Sequence, residues 1–389
     1  MRGPIAVATT TDTTMSVSST QRTAAFLTPA LSVYLDLVRF LAAFAVLVAH
    51  MDQDGLAAGW LPLSSLSHEA VVVFFVISGL VIATTVQRRE RDWRTYTIAR
   101  VVRIYSVVIP AIALSFAVAA IGFALDPELW LGEAGANFSV LDGLSSLLFL
   151  NESWSLDRSL PWNDPFWSLC YEAWYYVIFG IVCFAPMRSR VLWIGLCALI
   201  AGPAVLALMP VWLLGAWLAR LQRVPAWSTT RAVAIVVASW AIVWAISASG
   251  VDVALRGWLN RNVPSYWRLE SSQRLITDYA LAALVAWNFV AFRALPETAT
   301  AWLVRMARPI RFAAGFTFSL YLFHRPLTQF FGHFCAEWTD SSMGVVSILA
   351  VIIALCMLLG HVTESKKYVL RGWVERSLLR SPAVDPDAT

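Results

Sequence analysis

The chain has 389 residues, of which 59% are hydrophobic and only 14% charged, and its formal net charge is +4. A water-soluble domain of this size rarely shows such an imbalance, so the bilayer is its natural solvent, and so small a net charge gives no ground for nucleic-acid binding. Five cysteines (Cys170, Cys183, Cys197, Cys335 and Cys356) fall in or beside apolar runs without a CxxC pair or a histidine at ligand spacing. They read as small core residues; no disulfide framework, metal site or resident cofactor is expected.

Residues 1–30 are rich in Thr, Ser and Ala but hold no sustained apolar region, which excludes a secretory signal and reads as a disordered cytosolic tail. Apolar runs then recur at about 33–52, 68–87, 104–124, 166–185, 191–203, 204–220, 231–249, 273–293, 312–333 and 344–363. Most are roughly 18 to 22 residues long, enough to cross a hydrocarbon core about 30 Å thick as a helix. They are apolar throughout, whereas the strands of a membrane barrel alternate, so an all-α polytopic membrane protein with about ten transmembrane helices is expected. The fifth and sixth runs are short and meet near Gly202 and Pro203, as a helical hairpin or one broken segment. The membrane domain is placed at 31–365, with 366–389 as a basic cytosolic tail.

Ten spans and a cytosolic amino terminus make a prediction about charge, because Lys and Arg collect in cytosolic loops. With the fifth and sixth runs counted as a hairpin, 22 of the 29 Lys and Arg fall on the inner side, among them Arg2, Arg22, Arg188, Arg190, Arg220, Arg293 and Lys366. Six fall outside and Arg39 lies within the membrane, so both termini are placed in the cytosol of a bacterial inner membrane. Counted as one segment, those two runs would invert everything downstream. The segment Arg88–Arg103 mixes arginines with Trp93, Tyr96, Ile98 and Val101, as a helix lying on the inner surface would, or a plain topogenic charge cluster. The acidic stretch Asp126–Asp164 carries Trp130, Trp154 and Trp162, which suits a lid or a carbohydrate-facing surface and equally an interfacial aromatic belt.

Ionisable groups inside spans are costly in hydrocarbon and are therefore functional candidates. The first span, YLDLVRFLAAFAVLVAHM, places Arg39 and His50 eleven residues apart. That is about three turns plus roughly 20°, and a rise of about 16 Å, so the side chains share one face with Arg39 inward and His50 toward the outer mouth. Singly, Arg39 reads as well as an arginine snorkelling beside Asp36, and His50 as a helix end. As an aligned pair they suit acyl transfer: a neutral imidazole takes the proton of an attacking hydroxyl, and a guanidinium binds phosphates or polarises a carbonyl.

The fourth span opens on Asn163, Asp164 and Pro165 and places Ser168, Glu172, Tyr175 and Tyr176 in one polar stripe. Glu172 could orient His50 or bind the acceptor, or be a hydrogen-bonded packing residue. In the ninth span Thr317, Tyr321 and His324 form a second stripe, with Pro326 disturbing the helix beyond it; His324 could help hold the acceptor or serve as a structural histidine. Asp278 has no aligned partner in its span, and His68, His333 and His361 read as span ends. No GxSxG, P-loop, HExxH or GxGxxG occurs, against hydrolase, nucleotide-hydrolase and zinc-protease chemistry.

Taken in order, these elements resemble the integral-membrane acyltransferase-three family. Arg39 and His50 stand in LDLVRFLAAFAVLVAH, FFVISGLVI carries Ser78 and Gly79, and Arg100 and Arg103 form the arginine pair before the third span. Trp167, Ser168, Leu169, Glu172 and Tyr176 match the family's WSLxxExxFY-like element, with Tyr175 where Phe is common, and Ser319, Tyr321, Leu322, His324 and Pro326 its SYxxYLxHxP-like element. Arg325 departs from the pattern by standing where an aromatic residue is frequent, and Glu364 lacks a following proline. The chain is expected to lack the soluble hydrolase-like domain that some members append.

The resemblance implies an O-acyltransferase that moves an acyl group, most commonly acetyl, from acyl-CoA as co-substrate to a hydroxyl of a sugar, glycan or glycosylated metabolite. His50 thereby resembles the family's base and Arg39 its partner at the acyl-CoA site; Glu172 is taken as a third catalytic candidate, and Ser78, Arg100, Arg103, Trp167, Ser168, Tyr176, Tyr321 and His324 as candidate substrate-binding positions. The reading from another class is a transporter or exporter of a glycan or small metabolite, with the same charges lining a path.

Overall fold

The computed structural model describes residues 26–57, 63–154, 156, 158–264, 269–365 and 367–379. The expected amino-terminal tail up to residue 25, with Arg2 and Arg22, lies outside the described residues, as do Lys366 and the end of the basic tail from Arg380. Among the described residues the architecture is all-helical, and eight helical segments are long and apolar enough to cross a membrane.

Local chemistry sets the helix starts. In α1 (Pro29–Gln53) the Thr28 hydroxyl accepts from the Leu31 amide at 3.2 Å, and proline takes a first-turn position whose amide would have no helical partner. After α2 (Ser67–Arg88), Asp92 caps α3 (Trp93–Leu125) by accepting from the Thr95 amide at 2.9 Å. The Arg88–Arg103 segment and the third span, expected as separate pieces, are one continuous helix of 33 residues from Trp93 onward. No Gly, Asn or Asp interrupts the chain from Trp93 to Ile121, and the helix continues through Pro110.

The outer loop carries two short helices, α4 (Glu133–Ala136) and α5 (Val140–Leu147). Its tryptophans do not stand off as a free lid: Trp130 stacks on Phe123 at 4.1 Å, Trp162 leans on the same ring at 6.3 Å, and the Trp154 indole donates to the Leu199 carbonyl at 2.5 Å. The chain then enters α6 (Trp167–Phe184) and α7 (Met187–Leu218).

Gly202 breaks α7 with φ 85° and ψ 173°, a conformation only glycine adopts freely. Arg190 near the start of α7 and Arg220 just past its end both act electrostatically on Cys183 at the end of α6, while Leu199 meets Trp154 in the loop before α6. The two arms therefore run out and back, and the hairpin alternative holds. The returning arm packs on α2 through small residues: a side chain at Gly79 would collide with the Trp212 carbonyl, and one at Gly215 with that of Val76. In lipid, where apolar contact alone gives little drive, such close backbone approach is what holds helices together.

The outermost helix, α8 (Thr229–Ser249), is fastened by polar groups instead. Asn288 of α10 (Leu275–Arg293) donates to Ser239 at 2.8 Å and to the Val236 carbonyl at 3.0 Å, Trp240 donates to the Tyr34 hydroxyl at 2.9 Å, and Tyr34 donates to Asn288 at 2.8 Å. Between α8 and α10 lies the amphipathic α9 (Val251–Asn262). Large apolar side chains such as Val191, Leu199, Val237 and Ile121 remain exposed, as lipid-facing residues should.

The ninth span differs from expectation. Residues 312–316 belong to α12 (Ala307–Gly315) and its end, which follows α11 (Glu297–Arg305), and α13 (Thr317–Phe334) starts afresh. Among the described residues α13 is not one of the eight apolar crossings, because it buries Thr317, Ser319, Tyr321, His324, Arg325 and Thr328 inside the protein. Pro326 leaves the Leu322 carbonyl without its helical amide, and Asn163 supplies the missing donor at 3.1 Å. The fold closes with α14 (Ser342–Ser365) and α15 (Lys367–Leu379), whose Leu370 and Val374 pack on Ile98, Val101 and Val102 of α3.

Candidate active site

A cavity of about 940 Å³ opens between α1, α2, α3, α6, α12, α13 and α15. Arg89, Arg94, Arg103, Lys367 and Arg371 line one end, with Glu90, Asp92 and Glu375 among them. Loops assigned to one side of the membrane by their basic residues thus meet at one mouth, and Arg39 is in the same wall. Val71, Ser168 and Tyr321 are the lining residues furthest from that end along α2, α6 and α13. Beyond them the groups assigned to the opposite side converge: Arg325 pairs with Asp54 and, at 2.6 Å, with Asp164, and exposed His333 meets Asp126 at 2.9 Å.

Arg39 and His50 both face the α12–α13 wall. One Arg39 Nη hydrogen-bonds Asp36 at 3.2 Å and the Ala314 carbonyl at 3.1 Å. His50, 7% exposed, lies with its Nδ1 at 2.8 Å from Nε2 of the fully buried His324, the two rings meeting edge to edge with centroids 5.0 Å apart and planes 22° from parallel. His324 Nδ1 lies 2.9 Å from the Leu320 carbonyl one turn back. His50 does not itself line the cavity; His324 links it to the wall through Tyr321, at a ring separation of 6.2 Å. Tyr321 in turn is held by Ser168 at 2.7 Å and by donation to the Pro165 carbonyl at 3.1 Å.

Glu172, one turn on from Ser168, is engaged by other partners. It accepts from Ser78 and from Tyr176, each at 2.5 Å, and the Trp212 indole donates to the Ser78 hydroxyl at 3.1 Å. All three of Ser78, Glu172 and Tyr176 line the cavity, so the structure joins elements of the second and fourth spans into one polar patch, and among the described residues Glu172 makes no hydrogen bond to His50. Of the readings open to Glu172, its hydrogen bonds and its place on the cavity wall accord with acceptor binding or packing.

Two other expected substrate-binding residues stand behind the wall. Arg100 is 9% exposed, donates to buried Glu90 at 2.6 Å and lies over the rings of Tyr96 and Tyr176 at 5.4 and 5.7 Å. Burial pushes the Glu90 carboxyl up from its ordinary range while Arg100 pulls it back down. Arg103, one helical turn further, does line the cavity. Trp167 is taken up by His68 at 6.0 Å, Phe75 at 6.4 Å and Tyr171 at 5.1 Å, all ring to ring. His68 and Asp278, read from sequence as a span end and an unpartnered carboxylate, bind each other at 2.9 Å. Among the described residues no group of three His, Cys, Asp or Glu is arranged to hold a metal ion.

The profile of a family described as an acyltransferase domain matches residues 32–361, a stretch containing His50 and every residue of the cavity except those of α15. The chain belongs to the acyltransferase-three family. No curated protein and no solved structure matches it. As a member of the acyltransferase-three family the protein is a multi-pass membrane acyltransferase that transfers groups other than aminoacyl groups, and the transporter reading falls away.

Sequence reading missed several residues of this acyltransferase's cavity. Arg89, Arg94, Lys367 and Arg371 were visible only as members of basic runs, and it is the packing of α15 on α3 that brings Lys367 and Arg371 to the mouth. Asp54 gave no signal and Asp164 only that of a helix start, because their partner Arg325 lies 271 and 161 residues away.

Proposed function

We propose that the protein is an O-acyltransferase in which acyl-CoA enters the basic mouth and the acceptor hydroxyl reaches the thioester at the far end, where His50 removes its proton. The observation that carries this reading is the cavity itself, which runs from a cluster of Arg and Lys suited to phosphates to the wall residues Tyr321 and Ser168, next to the His50–His324 pair. Arg39 lies along this path, and its planar guanidinium suits a phosphate or the polarised thioester oxygen. The domain responsible is 31–365, with α15 adding cations at the mouth.

The transfer balances as follows. The hydroxyl proton passes to the imidazole, its oxygen bonds to the acyl carbon, and the C–S bond breaks to release a thiolate that takes the proton back from the imidazolium. The acyl group is acetyl or a longer chain, the acceptor a sugar, glycan or glycosylated metabolite, and the setting a bacterial inner membrane with both termini in the cytosol. Purified protein in lipid nanodiscs, given radiolabelled acetyl-CoA and candidate glycans, tests the reading. His50→Ala should insert normally and lose about 100- to 10,000-fold in rate. Arg39→Lys should also be slower, since a point charge does not reproduce a planar fork. Unchanged turnover in His50→Ala would exclude the base assignment.

A further inference from the structure

Leu320 offers His324 only a carbonyl oxygen, which cannot donate, so the hydrogen of that 2.9 Å contact belongs to Nδ1 of His324. In a neutral ring with hydrogen on Nδ1, Nε2 carries a lone pair and can only accept. That Nε2 stands 2.8 Å from Nδ1 of His50, and a hydrogen bond between two ring nitrogens needs one hydrogen, which must come from His50. With its hydrogen on Nδ1, His50 keeps Nε2 bare.

We propose that His324 is the positioning residue of the site, holding His50 in the tautomer and orientation that leave Nε2 free to take a proton; this rests on the base role assigned to His50 above. A carboxylate commonly does this for a histidine base, and a backbone carbonyl can serve as well. The carbonyl here acts one ring removed, through a second imidazole.

The surroundings fix the relay. His324 is fully buried, and its helix remains ordered past Pro326 because Asn163 satisfies the Leu322 carbonyl. The Tyr321 ring lies 6.2 Å away, itself held by Ser168 and the Pro165 carbonyl. Next in sequence, Arg325 is occupied by Asp54 and Asp164, which leaves the His324 ring as the partner of His50. When Nε2 takes the hydroxyl proton, the Nδ1–H of the resulting imidazolium still donates to His324, so the ring does not turn during transfer.

Nitrogen-15 solid-state spectra of histidine-labelled wild-type protein in bilayers read the tautomers directly. With five histidines in the chain, His50→Gln and His324→Gln assign the two signals by subtraction. The expected result is a protonated Nδ1 and bare Nε2 on His50, coupled across a hydrogen bond to the bare Nε2 of His324. A protonated Nε2 on His50, or an imidazolium on either ring, overturns the proposal without recourse to any variant.

Kinetics give a second readout. His324→Leu removes the acceptor and should lower kcat roughly 10- to 100-fold with little change in KM for acetyl-CoA, the span usual for losing the partner that orients a histidine. In His324→Gln the amide oxygen can accept in place of Nε2, and both kcat and the His50 signal should return most of the way to wild type. Equal losses in the Leu and Gln variants, or a kcat loss with the His50 tautomer unchanged, would sink the positioning role while leaving His50 as base. Wild-type turnover in His50→Ala alongside the expected tautomer would sink the base assignment and leave the geometry standing.

Discussion

Replacing Arg325 by Met keeps an unbranched side chain of similar reach but removes the charge that ties α13 to Asp54 and Asp164. The Asp54 side chain is only 8% exposed, and burial already pushes its carboxyl up against the downward pull of Arg325. Without the guanidinium the folded protein does best by taking up a proton there. At pH 7, neutralising a carboxyl of ordinary pKa about 3.9 costs about 4 kcal/mol, close to the roughly 3–5 kcal/mol typical of a broken buried pair. Asp164 is 54% exposed and adds no more than about 1 kcal/mol.

The sign of the pH dependence follows from the raised folded-state pKa. Between the unfolded value and that raised value the folded variant holds a proton that the unfolded chain has released, so stability falls as pH rises. The loss relative to wild type should therefore shrink by about 1.4 kcal/mol per pH unit, to roughly 1.5 kcal/mol at pH 5. Thermal midpoints in detergent at pH 5 and pH 7 measure this, and adding Asp54→Asn to Arg325→Met should restore most of the loss at pH 7. A deficit identical at both pH values, or absence of rescue, would show that Arg325 acts through packing and not through the buried carboxylate.

Gly79→Val places a side chain against the Trp212 carbonyl and should destabilise by at least about 1–3 kcal/mol, whereas Gly195→Ala, with open space around it, should be neutral in the same thermal assay. Glu172→Ala strands the hydroxyls of Ser78 and Tyr176 and should cost about 1–3 kcal/mol, with Glu172→Gln, which keeps an acceptor, losing less than half of that. Arg371→Glu at the cavity mouth should raise KM for acetyl-CoA several-fold at low salt with kcat little altered, and the effect should fade at about 1 M salt, where the screening length drops to about 3 Å; a salt-independent change would point to misfolding of α15.

The site was legible where its chemistry is local. Arg39 and His50 share a helix, so 3.6-residue periodicity is enough to put them on one face, and the same holds for Ser168 with Glu172 and for Tyr321 with His324. What each stripe meets is another matter. Glu172 shares a polar stripe that says nothing of its partner; α2 brings Ser78 to it, and His50 meets a second histidine 274 residues away. Arg100 and Arg103 look equivalent in sequence, but Glu90 and the rings of Tyr96 and Tyr176 take the first behind the wall and leave the second on the cavity.

Composition and hydropathy by themselves determined that the chain is a helical membrane protein, roughly where it crosses, and which few ionisable groups the bilayer must tolerate, because the cost of burying an unpaired backbone or charge in lipid applies to every residue regardless of its neighbours. The family pattern, too, was already in the order of its motifs. Only tertiary packing decided that α15 completes a basic entrance, and that His50 pairs with His324 while Arg325 pairs with Asp54. Those contacts join helices far apart in the chain, and their partners are selected by which helix faces lie against one another, information that no single helix carries.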